Sequence, residues 1–205
     1  MRSMRLFVAA AMAAASISGC AKKNTAALPD DMSLGPANSK VTVVEYASVG
    51  CPVCGRWDRE VWPAFKAKYV DTGRVRYTFR EMLVGSGVEV QLAAAGFLLA
   101  RCSDGKYFQV IDAIFRRQDE AYQDPRGVLL DIAKSEGMTE PQFDKCVSDE
   151  NSLNALQKRV TDNATEGGVN STPTFVINGK VLEPPGYHPL SDLDAAIASA
   201  QAAAK

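Results

Sequence analysis

The sequence predicts an α/β protein with an inserted all-helical domain. Two segments rich in β-branched and aromatic residues, 41–48 and 74–81, flank a segment with helical spacing at 51–70. A block of about eighty residues with only helical patterns follows, and a β-rich segment returns at 174–177 before a last helix. This order favours a single sheet interrupted by a run of helices.

The first strand, helix and second strand form a predicted βαβ unit. Residues 41–48 lack clean polar–apolar alternation, as expected for a strand buried on both faces. The helical spacing over 51–70 has Pro52 in the favoured first turn, and Pro63 is expected to kink the helix. Residues 74–81 alternate clearly, so the two strands are predicted to be parallel with a right-handed crossover.

The rest of the chain is predicted to be helical, with one hairpin near its end. The Asn178-Gly179 dipeptide is a strong hairpin signal, with Val181-Leu182 as the returning strand. A helix over 189–203 closes the chain. The helices predicted before the hairpin cover 87–102, 106–118, 126–136, 140–149 and 151–166.

The N-terminus has the pattern of a bacterial export signal. Within residues 1–19, two arginines precede an uncharged apolar run that is too short for a stable membrane helix. The run ends before Cys20 in a sequence that resembles a lipobox, so we expect Cys20 to carry a lipid and residues 20–39 to form a lipid-anchored tether. The alternative is ordinary cleavage, with Cys20 incidental or removed.

Composition argues against a nucleic-acid partner. The 205 residues are 46% apolar and 23% charged, which suits one globular domain or one domain with an insertion. The 23 Lys and Arg residues are balanced by 24 Asp and Glu residues, without a basic stripe.

Cys51 and Cys54 are the central chemical signal. They follow a predicted buried strand and open a helix, where free backbone N–H groups and the helix dipole favour a thiolate at Cys51. Cys54, one turn later, would be the resolving thiol. The alternatives are a static disulfide or half of a zinc site. Because zinc needs two more ligands and the other cysteines and His188 lie far along the chain, we expect no metal.

Three further cysteines have other predicted roles. Once Cys20 is assigned to the lipid, Cys102 and Cys146 remain as a pair in the helical block. A disulfide between them would be structural and would tie the block to itself. The alternative is two buried free thiols.

Together, Val44-Glu45-Tyr46, the Cys51–Cys54 motif, the helical block and the stretch from Thr172 to Gly179 resemble the DsbA-like family of thiol:disulfide oxidoreductases in the thioredoxin superfamily. The resemblance implies a thioredoxin-like domain formed by 40–84 and 168–205, interrupted by a helical insertion at 85–167.

The resemblance also implies roles for individual residues. Thr172 and Pro173 match the site of a cis proline that faces the active cysteines and pairs with clients, with Pro52 and Val53 beside it. Glu45 matches a buried acid that relays the proton of Cys54. The alternatives are a trans turn at Thr172 and a strand-end carboxylate reaching solvent at Glu45.

Family membership implies oxidation of exported proteins that contain cysteines, on the periplasmic side of a bacterial membrane. It implies a monomer with no cofactor beyond its redox-active disulfide, reoxidised by a quinone-linked membrane partner. Val53 replaces the histidine of strongly oxidising members, and Thr172 is also familiar from isomerases and reductases. The alternatives are therefore an isomerase or reductase, or a lipid-tethered chaperone or binding module; the protein could also be soluble in the periplasm.

Overall fold

The computed structural model describes residue 28 and residues 30–204. Within this part, one mixed sheet contains strands β1 (Met32–Leu34), β2 (Thr42–Ala47), β3 (Arg76–Glu81), β4 (Thr174–Ile177) and β5 (Lys180–Val181). The strands lie in the order β1-β3-β2-β4-β5. β2 is parallel to β3 and antiparallel to β4, and each edge strand is antiparallel to its neighbour.

Helices cover the sheet and form the insertion between β3 and β4. The α-helices of the described residues are α1 (Pro52–Glu60), α2 (Trp62–Phe65), α3 (Val88–Cys102), α4 (Tyr107–Arg116), α5 (Gln118–Ala121), α6 (Pro125–Ser135), α7 (Glu140–Val147), α8 (Glu150–Gly167) and α9 (Leu190–Ala203). The six helices α3 to α8 follow one another without an intervening strand. The predicted fold class, an α/β protein with an all-helical insertion, is confirmed.

The helix after β2 is broken rather than continuous. α1 ends at Glu60, and α2 begins at Trp62 with Pro63 in its first turn. Because Pro63 has no N–H and its ring would clash with a carbonyl of the preceding turn, the chain cannot continue α1 without a break. A π-helical turn, Lys66–Val70, then leads towards β3.

The predicted tether over 20–39 is wrong in its last part. Residues 32–34 form β1 and pair antiparallel with β3. Asp31 and Arg80 form a buried ion pair at 3.0 Å, which anchors this segment to the sheet. The predicted signal at 1–19 and the predicted lipid attachment at Cys20 lie outside the described residues.

A disulfide joins α3 to α7 within the helical insertion. Cys102 is the last residue of α3 and Cys146 lies in α7, and their Cα atoms are 6.3 Å apart. The two residues therefore form a bond rather than the two free thiols considered as the alternative.

The hairpin near the end of the chain turns at the dipeptide that the sequence indicates. Asn178 and Gly179 have φ angles of 45° and 82°, the left-handed conformation that a tight hairpin requires at both positions. The returning strand begins at Lys180, one residue earlier than predicted.

Trp57 locks α1 onto the sheet beside the candidate site. Its side chain is buried, its ring centroid lies 4.7 Å from that of Phe175 on β4, and its indole N–H donates to the backbone oxygen of His188 at 3.0 Å. These contacts between buried residues hold α1 against β4.

Candidate active site

Cys51 lies where β2 has ended and α1 begins. It is the N-cap residue of α1, and its sulfur accepts the backbone N–H of Cys54 at 3.3 Å. The preceding Gly50 packs against the backbone of α3 so closely that a Cβ there would lie 2.0 Å from the oxygen of Glu89. The loop therefore needs glycine at this position, and its tight packing holds the Cys51 sulfur at the helix terminus.

The two thiols of the pair have opposite acidities. The hydrogen bond from the Cys54 side chain, aided by Thr172 and by backbone N–H groups, lowers the pKa of Cys51 to about 6 against the opposing effect of burial. Burial in turn raises the pKa of Cys54 well above its usual value, and the charges of Cys51 and Glu45 add to that increase. At neutral pH, Cys51 is therefore a thiolate while Cys54 keeps its proton.

The loop before β4 faces the Cys51 sulfur. The Thr172–Pro173 peptide bond is cis, and the backbone oxygen of Thr172 lies 3.6 Å from the sulfur of Cys51. Val53, two residues after Cys51 along the chain, is 42% exposed, whereas Cys51 is 7% exposed. The site thus presents a shielded sulfur beside an accessible apolar surface.

Glu45 lies in β2 and is buried. Its side chain accepts a hydrogen bond from the hydroxyl of Tyr77 on the neighbouring strand β3. Desolvation by burial raises the pKa of Glu45 to about 8 despite that hydrogen bond, and the Cys51 charge contributes to the increase. The carboxyl does not reach solvent, and at neutral pH it holds a proton that it could transfer to a neighbouring base.

Gln118 is a buried polar residue that sequence reasoning missed. It begins α5, and its side-chain amide donates to the backbone oxygens of Val49 at 2.8 Å and Cys51 at 3.0 Å. Gly55 in α1 leaves room for it, since a Cβ there would lie 2.2 Å from the Gln118 oxygen. The helical insertion therefore supports the cysteine loop directly. No local sequence pattern indicates which helix packs against that loop.

Asp58 is a second missed residue, and it lies on the buried face of α1. Its position four residues after Cys54 places the two side chains on the same side of the helix. An acid at this spacing on an apolar helix face was the available signal.

No helix among the described residues has the length and apolar character needed to cross a membrane.

The chain matches known families in sequence. A family model described as Thioredoxin matches residues 27–197. The chain is 33% identical over 158 residues to a Rickettsia bellii protein named as a protein-disulfide oxidoreductase, covering 75% of this chain and 59% of that protein. It is 26% identical over 153 residues to disulfide bond formation protein D of Bacillus subtilis, covering 73% of this chain and 68% of that protein. The chain thus spans less than two thirds of the Rickettsia protein.

The fold also matches solved structures. α-DsbA1 of Wolbachia pipientis superposes with a TM-score of 0.76 at 25% identity, covering 87% of this chain and 94% of that one. A thioredoxin-like oxidoreductase of Silicibacter pomeroyi gives a TM-score of 0.65 at 28% identity, covering 85% and 94%. Both superpositions cover more than four fifths of this chain.

Proposed function

We propose that this chain, which belongs to the DsbA-like proteins of the thioredoxin superfamily, is an oxidase that donates the Cys51–Cys54 disulfide to exported proteins containing cysteines. The observation that carries this proposal is the opposed acidity of the two thiols. A stabilised thiolate at Cys51 stabilises the reduced enzyme, and a stable reduced form makes the disulfide a better oxidant.

The size of this effect follows from the pKa of Cys51. A fall from 9.0 to about 6 makes the thiolate about ten times more populated than the thiol at pH 7. The reduced form gains about 1.4 kcal/mol relative to an unperturbed thiol, which corresponds to about 30 mV for a two-electron couple.

The cycle begins when a client thiolate attacks the sulfur of Cys51. The bond between the two enzyme sulfurs breaks, and its electron pair leaves on Cys54, which takes a proton from the carboxyl group of Glu45. A second client thiolate then attacks the client sulfur of the mixed disulfide, and Cys51 leaves as a stable thiolate. The client gains one disulfide, and the enzyme gains the two electrons.

The surface around Cys51 supports a binding role for four residues. The backbone of Thr172 would pair with an extended client segment, with Pro173 holding the loop against the sulfur. The exposed side chains of Pro52 and Val53 would contact the apolar side chains of that segment.

The reducing alternative has one specific observation in its favour. Val53 adds no charge or donor side chain beside the Cys51 thiolate, and an imidazole there would stabilise the thiolate further. An isomerase or reductase would use the reduced pair to attack wrong disulfides. A non-catalytic chaperone would need neither cysteine.

The decisive experiment measures the equilibrium of the Cys51–Cys54 pair with reduced and oxidised glutathione, together with the oxidation of a reduced peptide substrate. We expect a potential more oxidising than that of the glutathione couple and transfer of one disulfide per enzyme. A strongly reducing potential would replace the oxidase with the second function.

The matched control compares alanine replacement of one cysteine pair with alanine replacement of the other. Replacing Cys51 and Cys54 by alanine should abolish transfer, whereas replacing Cys102 and Cys146 should preserve it. Full function without the first pair would favour the chaperone.

The cellular setting is part of the same proposal. Cleavage before Cys20 and its acylation would hold the domain on the periplasmic side of a membrane as a monomer, where a quinone-linked membrane protein would reoxidise it. No cofactor beyond the disulfide is needed. A Cys20→Ala variant that stays in the membrane fraction would contradict the lipid anchor.

A further inference from the structure

Asp58 is a buried acid that the proposed thiol exchange does not use. Its side chain lies on the inner face of α1 and is only 7% exposed. Among the described residues, its Oδ1 atom has no hydrogen-bond partner. A buried polar atom without a hydrogen-bond partner is destabilising, so a contribution to stability does not explain why an acid is buried at this position.

Asp58 is close to two groups of the candidate site, Cys54 and Glu45. Cys54 precedes it by four residues on the same helix, a spacing at which Cβ atoms lie about 5–6 Å apart. The charge of Glu45 on β2 raises the pKa of Asp58, and the charges of both acids act on Tyr77 of β3. The two carboxyl groups and the buried thiol therefore share one low-dielectric region.

α1 packs against α4, and charged side chains of α4 act on Asp58. On α4, Asp112 and Arg116 form a two-point ion pair, with distances of 2.7 and 3.0 Å; Asp112 is partly exposed and Arg116 is exposed. They also line a surface groove of about 590 Å³. Arg59, the other nearby cation, donates to the backbone oxygen of Phe115 at 2.7 Å.

This arrangement leaves Asp58 protonated at neutral pH. Burial and the charge of Asp112 raise its pKa to about 8, with Glu45 contributing, while Arg116 and Arg59 oppose the increase. Each arginine already has another hydrogen-bond acceptor, so neither compensates for the burial of Asp58.

We propose that Asp58 relays protons between Glu45 and the solvent on the α4 side, and so resupplies the proton that Cys54 takes during thiol exchange. This inference rests on the proposed function. When the disulfide opens, its electron pair remains on Cys54, the carboxyl of Glu45 protonates that sulfur, and Asp58 returns a proton to Glu45. Water beside Asp112 and Arg116 then reprotonates Asp58. Asp58 acts through Glu45 and does not touch the substrate, so it is a positioning residue and not a catalytic one.

The test compares Asp58→Asn and Asp58→Leu with Glu60→Gln, which neutralises an exposed acid on the same helix. The first readout is the pH dependence of single-turnover disulfide transfer to a peptide dithiol. The second is the infrared carbonyl band of protonated carboxyl groups during titration of the reduced protein. Unfolding midpoints in urea show whether each variant folds.

We expect both Asp58 variants to transfer disulfides about tenfold more slowly than wild type near neutral pH, below the full contribution of a direct proton donor. The alkaline limb of their pH profile should change from two protons to one, because one of two coupled acids is gone. In wild type, two bands of protonated carboxyl groups should persist above neutral pH, and the Asp58 variants should lose one of them. Glu60→Gln should match wild type in all three respects.

Two results would overturn the relay. The first is an unchanged rate and pH profile in the Asp58 variants while Glu45→Gln alters both. The second is a wild-type spectrum in which Asp58 is already ionised at pH 7. If wild type transfers no disulfide at all, the proposed function fails and the relay fails with it; fast transfer without Asp58 removes only the relay.

Discussion

Replacing Cys54 by alanine tests what makes the Cys51 sulfur acidic. The hydrogen bond from the Cys54 side chain is the largest influence that lowers the pKa of Cys51. A hydrogen bond to a charged acceptor contributes about 1.5–3 kcal/mol, or about 1–2 pKa units. Cys54→Ala should therefore raise the pKa of Cys51 from about 6 to about 7–8.

The consequence at neutral pH is large enough to measure. The thiolate fraction of Cys51 at pH 7 should fall from about nine tenths to between about one half and one tenth. The assay is the ultraviolet absorbance of the thiolate against pH, with iodoacetamide alkylation rates as a second measure. Cys20→Ala, Cys102→Ala and Cys146→Ala in the background ensure that only the site thiols titrate. Cys54 does not interfere, because its own pKa is raised far above this range.

Cys54→Ser is the matched control. A hydroxyl can also donate to the Cys51 thiolate, so this variant should recover most of the acidity. If Cys54→Ala and Cys54→Ser both titrate at the wild-type midpoint, the thiolate is held by Thr172 and the helix terminus, and the reasoning from the Cys54 side chain is refuted.

Three further variants test the surroundings of the site. As the pH rises from about 5 to 8, wild type should lose about 3 kcal/mol of unfolding free energy that Glu45→Gln keeps, as measured by urea unfolding. The reason is the raised pKa of Glu45, which lets the folded state keep a proton that the unfolded state releases. Gln118→Leu should cost about 1–3 kcal/mol by leaving two buried carbonyls unpaired, and should slow thiol exchange, whereas Gln123→Leu on the exposed surface should do neither. Replacing Cys102 and Cys146 by alanine should cost about 4 kcal/mol without changing the exchange rate.

Each of these expectations has a clear contrary result. Parallel pH–stability curves for wild type and Glu45→Gln would mean that the carboxyl is ionised in the folded protein. Equal stability of the two glutamine variants would mean that the amide does not support the cysteine loop. A slower exchange rate without the second disulfide would mean that the crosslink in the helical insertion influences thiol exchange at Cys51.

Local patterns predicted the parts of the molecule that depend on short stretches of chain. The break near Pro63 follows from one missing N–H, and the hairpin at Asn178-Gly179 follows from two residues that tolerate positive φ. The position of Cys51 at a helix start follows from a buried strand directly before a proline-led helix. Each of these features is determined within a few residues.

Features that depend on packing between distant segments could not be predicted in this way. β1 pairs with β3, and Asp31 beside it forms an ion pair with Arg80, 49 positions later, although the composition of this segment resembles a linker. Gln118 supports the cysteine loop only because α5 folds over it, and the burial of Asp58 depends on how α1 packs against α4. Polar residues that become buried by such long-range contacts have no periodic signature.

The acidity of Cys51 also explains why a valine between the two cysteines is compatible with an oxidase. The influences that lower the pKa of Cys51 are all hydrogen bonds, from Cys54, Thr172 and the first backbone N–H groups of α1. Short-range donors fixed in a buried site are screened by salt much less than an exposed cation would be. The thiolate therefore owes its stability to the placement of Cys54, Thr172 and the first turn of α1 around the sulfur, and Trp57 packs against Phe175 to hold α1 on the sheet. Because none of these donors is the side chain at position 53, the acidity of Cys51 does not require an imidazole there.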